Sequence, residues 1–240
     1  MDTLVLVHGG WSGKWVWDNN LEDLKKAGIN ALALDLPGHG DNAPDRLKSV
    51  GLKDYVEYIE KEISGIDGKV VLCGHSLAGM IIAQVAEDMS DKVSALIFAA
   101  GFMPARDGQI MSEYIENDPW TQVSDKTMLV VDDPLLTFNP KYGRNMGFNM
   151  ASDEQFFAIA PKIQLETPKM WYDPVHLTDK YHEVPKYYIH TLKDNCCSYY
   201  MQRILTHDEP VVKEYYLDAD HCLMISRPHE LSEVLVDIMK

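Results

Sequence analysis

At 240 residues, with 46% hydrophobic and 25% charged side chains, the chain has the composition of a globular protein able to bury a sizeable core, which excludes long disordered stretches. Its formal net charge of −15 opposes binding to nucleic acid or anionic lipid, since both would repel it. No window approaches the roughly 18 uninterrupted apolar residues of a membrane span, and MDTLVLVHGG places no basic segment ahead of a long apolar run, so a cytoplasmic protein without a signal peptide is expected.

The first hundred residues alternate between short apolar runs and longer amphipathic ones. Strands are predicted over Thr3–Val7, ending at HGG, and over Ile29–Leu34, ending at DLPGHG. Two more are predicted over Lys69–Cys73, ending at GHS, and over Val93–Ala99, ending at GFMP. Helices are predicted between them over Trp17–Ala27, Leu52–Ile63 and Gly79–Met89. Buried apolar strands separated by helices of about ten residues indicate an α/β protein with a mostly parallel sheet and helical crossovers.

From about Pro104 to Tyr181 the rhythm changes. The chain there is rich in Met, Trp and Phe and contains several prolines, which predicts an irregular helical subdomain with a small core of its own. Trp120, Phe138 and Met146 are the residues expected to line an apolar pocket beneath it. Strand and helix signals then resume: Lys186–Ile189 leads to HTLKDN, Val211–Leu217 leads to DADH, and Pro228–Met239 reads as a closing helix. The expected organisation is one domain over 1–240, with a cap subdomain over 104–181 inserted after the fourth predicted strand.

The strongest chemical signal is Gly74-His75-Ser76-Leu77-Ala78-Gly79. A serine between small neighbours, after a buried strand and before a helix, fits a nucleophile elbow, where a sharp turn holds the serine in a strained conformation. The usual pattern has Gly two residues after the serine; here Ala78 stands there, with Gly79 following. The amides at the start of the next helix point toward the serine and favour developing negative charge. The second signal is His8-Gly9-Gly10 after the first strand. An oxyanion hole needs two backbone N–H groups about 3 Å from the forming charge, and Gly10 and Leu77 are the expected donors. His8 is expected to brace the loop.

With a nucleophile on such an elbow, the acid and then the histidine follow in chain order. His221, in DADHC after the last predicted strand, is therefore the expected base. Of the other histidines, His75 lies on the wrong side of the serine, His39 sits in a loop and His229 begins the last helix. His176, His182, His190 and His207 fall in or near connections and are expected to face solvent. Asp194, in KYYIHTLKDN, is the expected acid, holding the imidazole in the required tautomer, with Asp218 and Asp220 as rivals. The four cysteines, Cys73, Cys196, Cys197 and Cys222, have neither zinc-site nor disulfide-framework spacing and read as reduced thiols.

LVLVHGGWSGKWVW, LDLPGHG, VVLCGHSLAGM, IFAAGFMP, TLKD and DADHCLMISRP together resemble the plant methylesterase and hydroxynitrile lyase branch of the α/β-hydrolase superfamily and its bacterial relatives. The likeness covers nearly the whole core, with the segment from about Asp107 to Lys180 matching only loosely. It implies an α/β-hydrolase fold with a helical cap, Ser76, Asp194 and His221 as the triad, Gly10 and Leu77 as oxyanion donors, and no cofactor or metal. Related enzymes are often dimers, so a homodimer is one expectation. Lyases of the branch typically carry Thr after the first-loop histidine and Lys after the catalytic one; here those positions are Gly9 and Cys222, neither able to handle cyanide in that way. The reading is a serine esterase for a small hydrophobic or aromatic ester, with Gly9 and Cys222 beside the substrate. A carbon–carbon lyase would instead cleave mandelonitrile, and a non-catalytic receptor would bind an apolar ligand without turnover.

Overall fold

The computed structural model describes residues 2–42, 44–139 and 141–240. The first half follows the strand and helix rhythm of the sequence. It comprises β1 (Thr3–Val7), α1 (Asp18–Lys26), β2 (Ala31–Leu34), α2 (Leu52–Ser64), β3 (Val70–His75), α3 (Ala78–Asp88) and β4 (Val93–Ala99). Next come α4 (Ser112–Asn117), β5 (Met128–Asp132), β6 (Leu135–Phe138), α5 (Gly143–Gly147), α6 (Asp153–Ile159) and α7 (Asp179–Glu183). The core closes with β7 (Lys186–Thr191), α8 (Tyr199–Asp208), β8 (Lys213–Leu217), α9 (Leu223–Ser226) and α10 (Pro228–Met239).

Six strands form one sheet in the order β2-β1-β3-β4-β7-β8, each pair parallel. The alternation of side chains along a strand decides which layer each joins. Val5, Val7, Leu72, Leu96 and Phe98 pack with α2 and α3 on one face. Leu4, Leu6, Val71, Cys73, Ile97 and Ala99 pack against residues of α1 and α10 on the other. Burial on both faces explains why these strands read as unbroken apolar runs. Among the described residues no helix is long and apolar enough to cross a membrane.

The stretch between β4 and β7 departs from the irregular helical subdomain expected there. It contains a two-stranded antiparallel sheet, β5 with β6, among its short helices. Leu129, Val130 and Val131 are all exposed, so the polar–apolar alternation that marks a half-buried strand is missing from the sequence there. Most of its buried apolar residues, including Met111, Tyr114, Trp171 and Tyr181, join the core cluster of α2 and α3, while Phe148, Ala151 and Ile159 form a small cluster with Cys222 and Ile225. Helix α8 also forms where no helix is predicted, between β7 and β8. Its start is fixed by Ser198, whose hydroxyl accepts the Met201 amide at 3.2 Å, an ordinary N-cap.

Candidate active site

The parallel sheet ends its central strands β1, β3 and β4 at one edge, and the candidate residues lie in the loops beyond it. Ser76 stands between β3 and α3 with φ of 54°, in the left-handed region that costs a non-glycine residue free energy. The surrounding backbone enforces it: the Phe102 amide and the Gly79 amide both donate to the Ser76 carbonyl at 3.0 Å. Two glycines permit this crossing. A Cβ on Gly74 would lie 2.8 Å from the Ala78 carbonyl oxygen, and one on Gly79 would lie 2.4 Å from that of Phe102. Ala78 is tolerated because the tightest approach falls one residue later, at Gly79.

His221 lies between β8 and α9. Its Nδ1–H donates to Asp194 Oδ2 at 2.8 Å. That carboxylate is buried and used by several donors. Oδ2 also accepts the Thr191 hydroxyl at 2.8 Å and the Gln202 amide at 3.2 Å, and Oδ1 accepts the backbone amides of Cys196 and Cys197 at 2.7 and 2.9 Å. The rivals stand elsewhere. Asp218 is exposed, and Asp220 accepts the Ser226 hydroxyl at 2.7 Å and the Met150 amide at 2.8 Å, tying the inserted segment to the histidine loop.

Ser76, His221 and Gly10 border one narrow cavity of about 10 Å³, room for about one water, together with His75, Phe138, Met146, Phe148, Cys196 and Cys222. Among the described residues no hydrogen bond joins the Ser76 hydroxyl to the imidazole. In unliganded enzymes such contacts are commonly loose and tighten with substrate. No protein acceptor takes the Gly10 or Leu77 amide among the described residues, so both remain available to an oxygen beside Ser76.

Of the five residues expected beside the substrate, Phe138, Met146 and Cys222 line the cavity and two fall outside it. Trp120 is 69% exposed, because its amide caps back onto Asp118 Oδ1 at 3.0 Å and the turn directs the chain outward. Gly9 is buried where the first loop abuts the elbow; a Cβ there would meet His75 Nδ1 at 2.6 Å and Ser76 Cβ at 2.9 Å. It spaces two loops and touches no ligand space. Two histidines expected near solvent or in open loops are buried. His190 sits on β7 with Nε2 2.7 Å from Glu214 and its ring stacked on Tyr216, and His39 is buried against Glu166.

Electrostatics separates the histidines by task. His8 donates from Nδ1 to the Gly9 carbonyl at 2.8 Å and accepts the Leu36 amide at Nε2; burial, with His39 nearby, pushes its pKa down to about 4. It is a neutral brace. His75 is likewise held well below 6.5 by burial and by His221 beside it, and its Nε2–H donates to the His221 carbonyl at 2.8 Å. The residue before the serine therefore holds the histidine loop in place, a role its position in the motif did not reveal. For His221, burial alone would lower the pKa, but the Asp194 charge and hydrogen bond, with Cys196 adding to them, raise it well above 6.5.

A base must be neutral to take a proton, so protonation of His221 as pH falls removes activity. The acid limb of kcat/KM against pH for an uncharged ester should have its midpoint above 6.5. A midpoint well below 6.5 would contradict the Asp194–His221 pairing as the controlling titration.

One constellation carries no motif in the sequence. Trp11 follows Gly10 and has φ of 59°. Its amide donates to Glu166 Oε2 at 3.3 Å, its indole N–H donates to the Leu136 carbonyl at 3.2 Å, and its own carbonyl accepts the Gln164 amide at 2.9 Å. Glu166 is fully buried. Its Oε2 pairs with His39 Nε2 at 3.2 Å, and its Oε1 accepts the Thr167 amide at 2.8 Å and the Tyr55 hydroxyl at 3.4 Å. Burial opposes protonation of His39, but the Glu166 charge outweighs it and the pKa is raised. A carboxylate from the inserted segment thus fixes the strained turn next to the candidate oxyanion donor. Among the described residues no group of three or more His, Cys, Asp or Glu side chains could hold a metal ion, and all four cysteines are free and buried.

The profile of the α/β hydrolase family matches residues 4–234 of this chain. Methylesterase 7 of Arabidopsis thaliana is 30% identical over 250 residues, covering 98% of this chain and 95% of that protein. Polyneuridine aldehyde esterase of Rauvolfia serpentina is 30% identical over 260 residues, covering 98% and 94%. In structure, the chain is similar to polyneuridine aldehyde esterase with a TM-score of 0.87, 24% identity and full coverage of both chains. It is similar to an Arabidopsis methylesterase with a TM-score of 0.83, 23% identity and coverage of 100% and 99%. At those identities the structural likeness speaks to the fold alone.

Proposed function

Because the chain belongs to the α/β hydrolase family, we propose that it is a serine-dependent carboxylic ester hydrolase that works through an acyl-enzyme. In this reading Ser76 Oγ attacks the ester carbonyl while His221 Nε2 takes its proton, and Asp194 stabilises the imidazolium that results. The tetrahedral oxyanion lies between the amides of Gly10 and Leu77. His221 then protonates the departing alcohol, water activated by the same imidazole attacks the acyl group, and the acid is released from Ser76. The observation that carries the proposal is the Asp194–His221 hydrogen bond of 2.8 Å on an imidazole that opens into the same cavity as Ser76 and Gly10.

The cavity wall favours a small, uncharged, hydrophobic or aromatic substrate: Phe138, Met146, Phe148 and Cys222 supply no cation to hold an anionic one. Burial and the nearby acidic groups keep the Cys222 thiol well above its ordinary pKa and hence neutral, which argues against stabilising a departing cyanide at that position. The assignment of the serine is tested with a fluorophosphonate, which phosphonylates an activated serine and displaces fluoride. The expected result is a single adduct on the peptide containing Ser76, located by mass spectrometry and blocked by prior acidification. Labelling of a different residue, or of none, would refute the assignment.

A further inference from the structure

The loop that carries the Gly10 amide is gripped by the segment between β4 and β7. Trp11, the next residue, has an amide, a carbonyl and an indole N–H, and each finds its partner in that segment, on Glu166, Gln164 and Leu136 in turn. Released from them, a residue at φ of 59° would relax toward negative φ, where a side chain meets less steric opposition.

Of the three contacts, the one with Glu166 lies closest to the chemistry. A Cβ built on Gly10 would stand 3.1 Å from Glu166 Oε2 and 2.9 Å from Leu77 Cδ2. The Gly10 backbone is therefore wedged between this carboxylate and the side chain of the other expected oxyanion donor. The carboxylate has little freedom of its own. Its backbone is paired with β6, the Leu136 amide donating to the Glu166 carbonyl at 2.8 Å and the Glu166 amide to the Leu136 carbonyl at 2.9 Å. Oε1 accepts the Thr167 amide and the Tyr55 hydroxyl, while Oε2 accepts the Trp11 amide and faces His39 Nε2. Each oxygen thus meets a backbone N–H, and only a side chain that accepts at both ends satisfies the two together. A buried amide without an acceptor is costly, so loss of this one would rearrange the turn.

We infer that Glu166 is a positioning residue for ester hydrolysis: by accepting the Trp11 amide it fixes the turn that aims the Gly10 N–H at the oxyanion. The inference rests on the serine-hydrolase reading. Glu166 does not border the cavity where Ser76 and His221 meet, so it acts through Gly10. The oxyanion exists only in the transition state and the intermediate, so loss of Glu166 should fall on kcat and spare KM.

Glu166→Gln keeps the size of the side chain and removes one acceptor. Its oxygen should serve the Thr167 amide, held at 2.8 Å, in preference to the Trp11 amide, held at 3.3 Å, and its NH₂ then opposes the Trp11 N–H. The expected kcat on p-nitrophenyl acetate is about 10- to 100-fold below wild type, up to the loss of a whole oxyanion donor, with KM within about 3-fold. 1,1,1-Trifluoroacetone gives a second readout. Ser76 Oγ adds to its carbonyl carbon, the hydroxyl proton passes to His221, and the hemiketal oxyanion takes the place of the tetrahedral intermediate with no leaving group to expel. Its Ki should rise by about the factor by which kcat/KM falls. A purely structural role would reduce the amount of active enzyme and leave Ki unchanged.

Tyr55→Phe removes a donor to Oε1 and leaves the Trp11 contact in place, so its kcat and Ki should stay within about 3-fold of wild type. If Glu166→Gln does not fold, Glu166→Asp makes the same comparison, since the shorter side chain keeps a charge for His39 but draws its oxygens back from Trp11. Wild-type kcat in either folded variant, lowered turnover with unchanged Ki, or an equal loss in Tyr55→Phe overturns the inference. Turnover of p-nitrophenyl acetate that vanishes in Ser76→Ala upholds the hydrolase reading whatever Glu166 does. Its absence from the wild-type protein sinks both.

Discussion

Ser76→Ala should lower kcat on p-nitrophenyl acetate by on the order of 10⁶-fold, leaving only the catalysis that binding and oxyanion contacts supply without a nucleophile. The loss should appear without unfolding. Alanine keeps the Cβ and with it the unfavourable backbone conformation at φ of 54°, so the thermal midpoint should stay close to that of the wild type. Ser76→Gly separates the two properties. It should be as inactive, yet more stable by about 1 kcal/mol, because glycine adopts positive φ without the steric cost that serine bears. Steady-state kinetics and thermal denaturation on the same three proteins make the comparison. Retained turnover in Ser76→Ala would remove the serine from the mechanism. A Ser76→Gly protein no more stable than wild type would remove the elbow strain.

Asp194→Asn should cost about 10⁴-fold in kcat with KM little changed. An asparagine oxygen can still accept the Cys196 and Cys197 amides, so the loop keeps its shape. Its NH₂ then occupies the position from which Oδ2 accepts the His221 proton. Two donors cannot face each other, so the imidazole adopts the tautomer with its proton on Nε2, where it can no longer accept one from Ser76. The same substitution removes the charge that raises the His221 pKa, so any residual activity should have its acid limb shifted to lower pH. An Asp194→Asn enzyme with near-normal kcat would transfer the orienting role away from this carboxylate.

The core and the candidate triad were legible because each rests on a local signal. VVLC before GHS and the glycines at 74 and 79 specify strand, elbow and helix within a dozen residues, and β4 and α10 begin and end where the apolar pattern predicts. Asp194 and His221 each follow a strand whose position was readable. The inserted segment offers no such signal. Its exposed strand β5 presents apolar residues to solvent, and Trp120 looks like a pocket residue by type while a turn sends it outward. Glu166 was illegible for a stronger reason: its partners Trp11, His39 and Tyr55 lie 155, 127 and 111 residues away, and nothing in the neighbourhood of a lone glutamate announces contacts at that range. His75 was read from its motif, which specifies its backbone but not the carbonyl its ring would reach.

The Glu166 carboxylate bears on how such an enzyme can be re-engineered. Substrate range in a fold of this kind would be altered most simply by exchanging the segment between β4 and β7 for that of a relative. Here the exchange would also withdraw the acceptor that holds the Trp11 amide and would leave His39 beside no counter-charge in the interior. Grafts that carry an acidic side chain to the same spot should therefore fold and turn over, while grafts chosen on pocket shape alone inherit a misaligned first loop. In this chain the part that selects the molecule and the part that transforms it cannot be inherited separately.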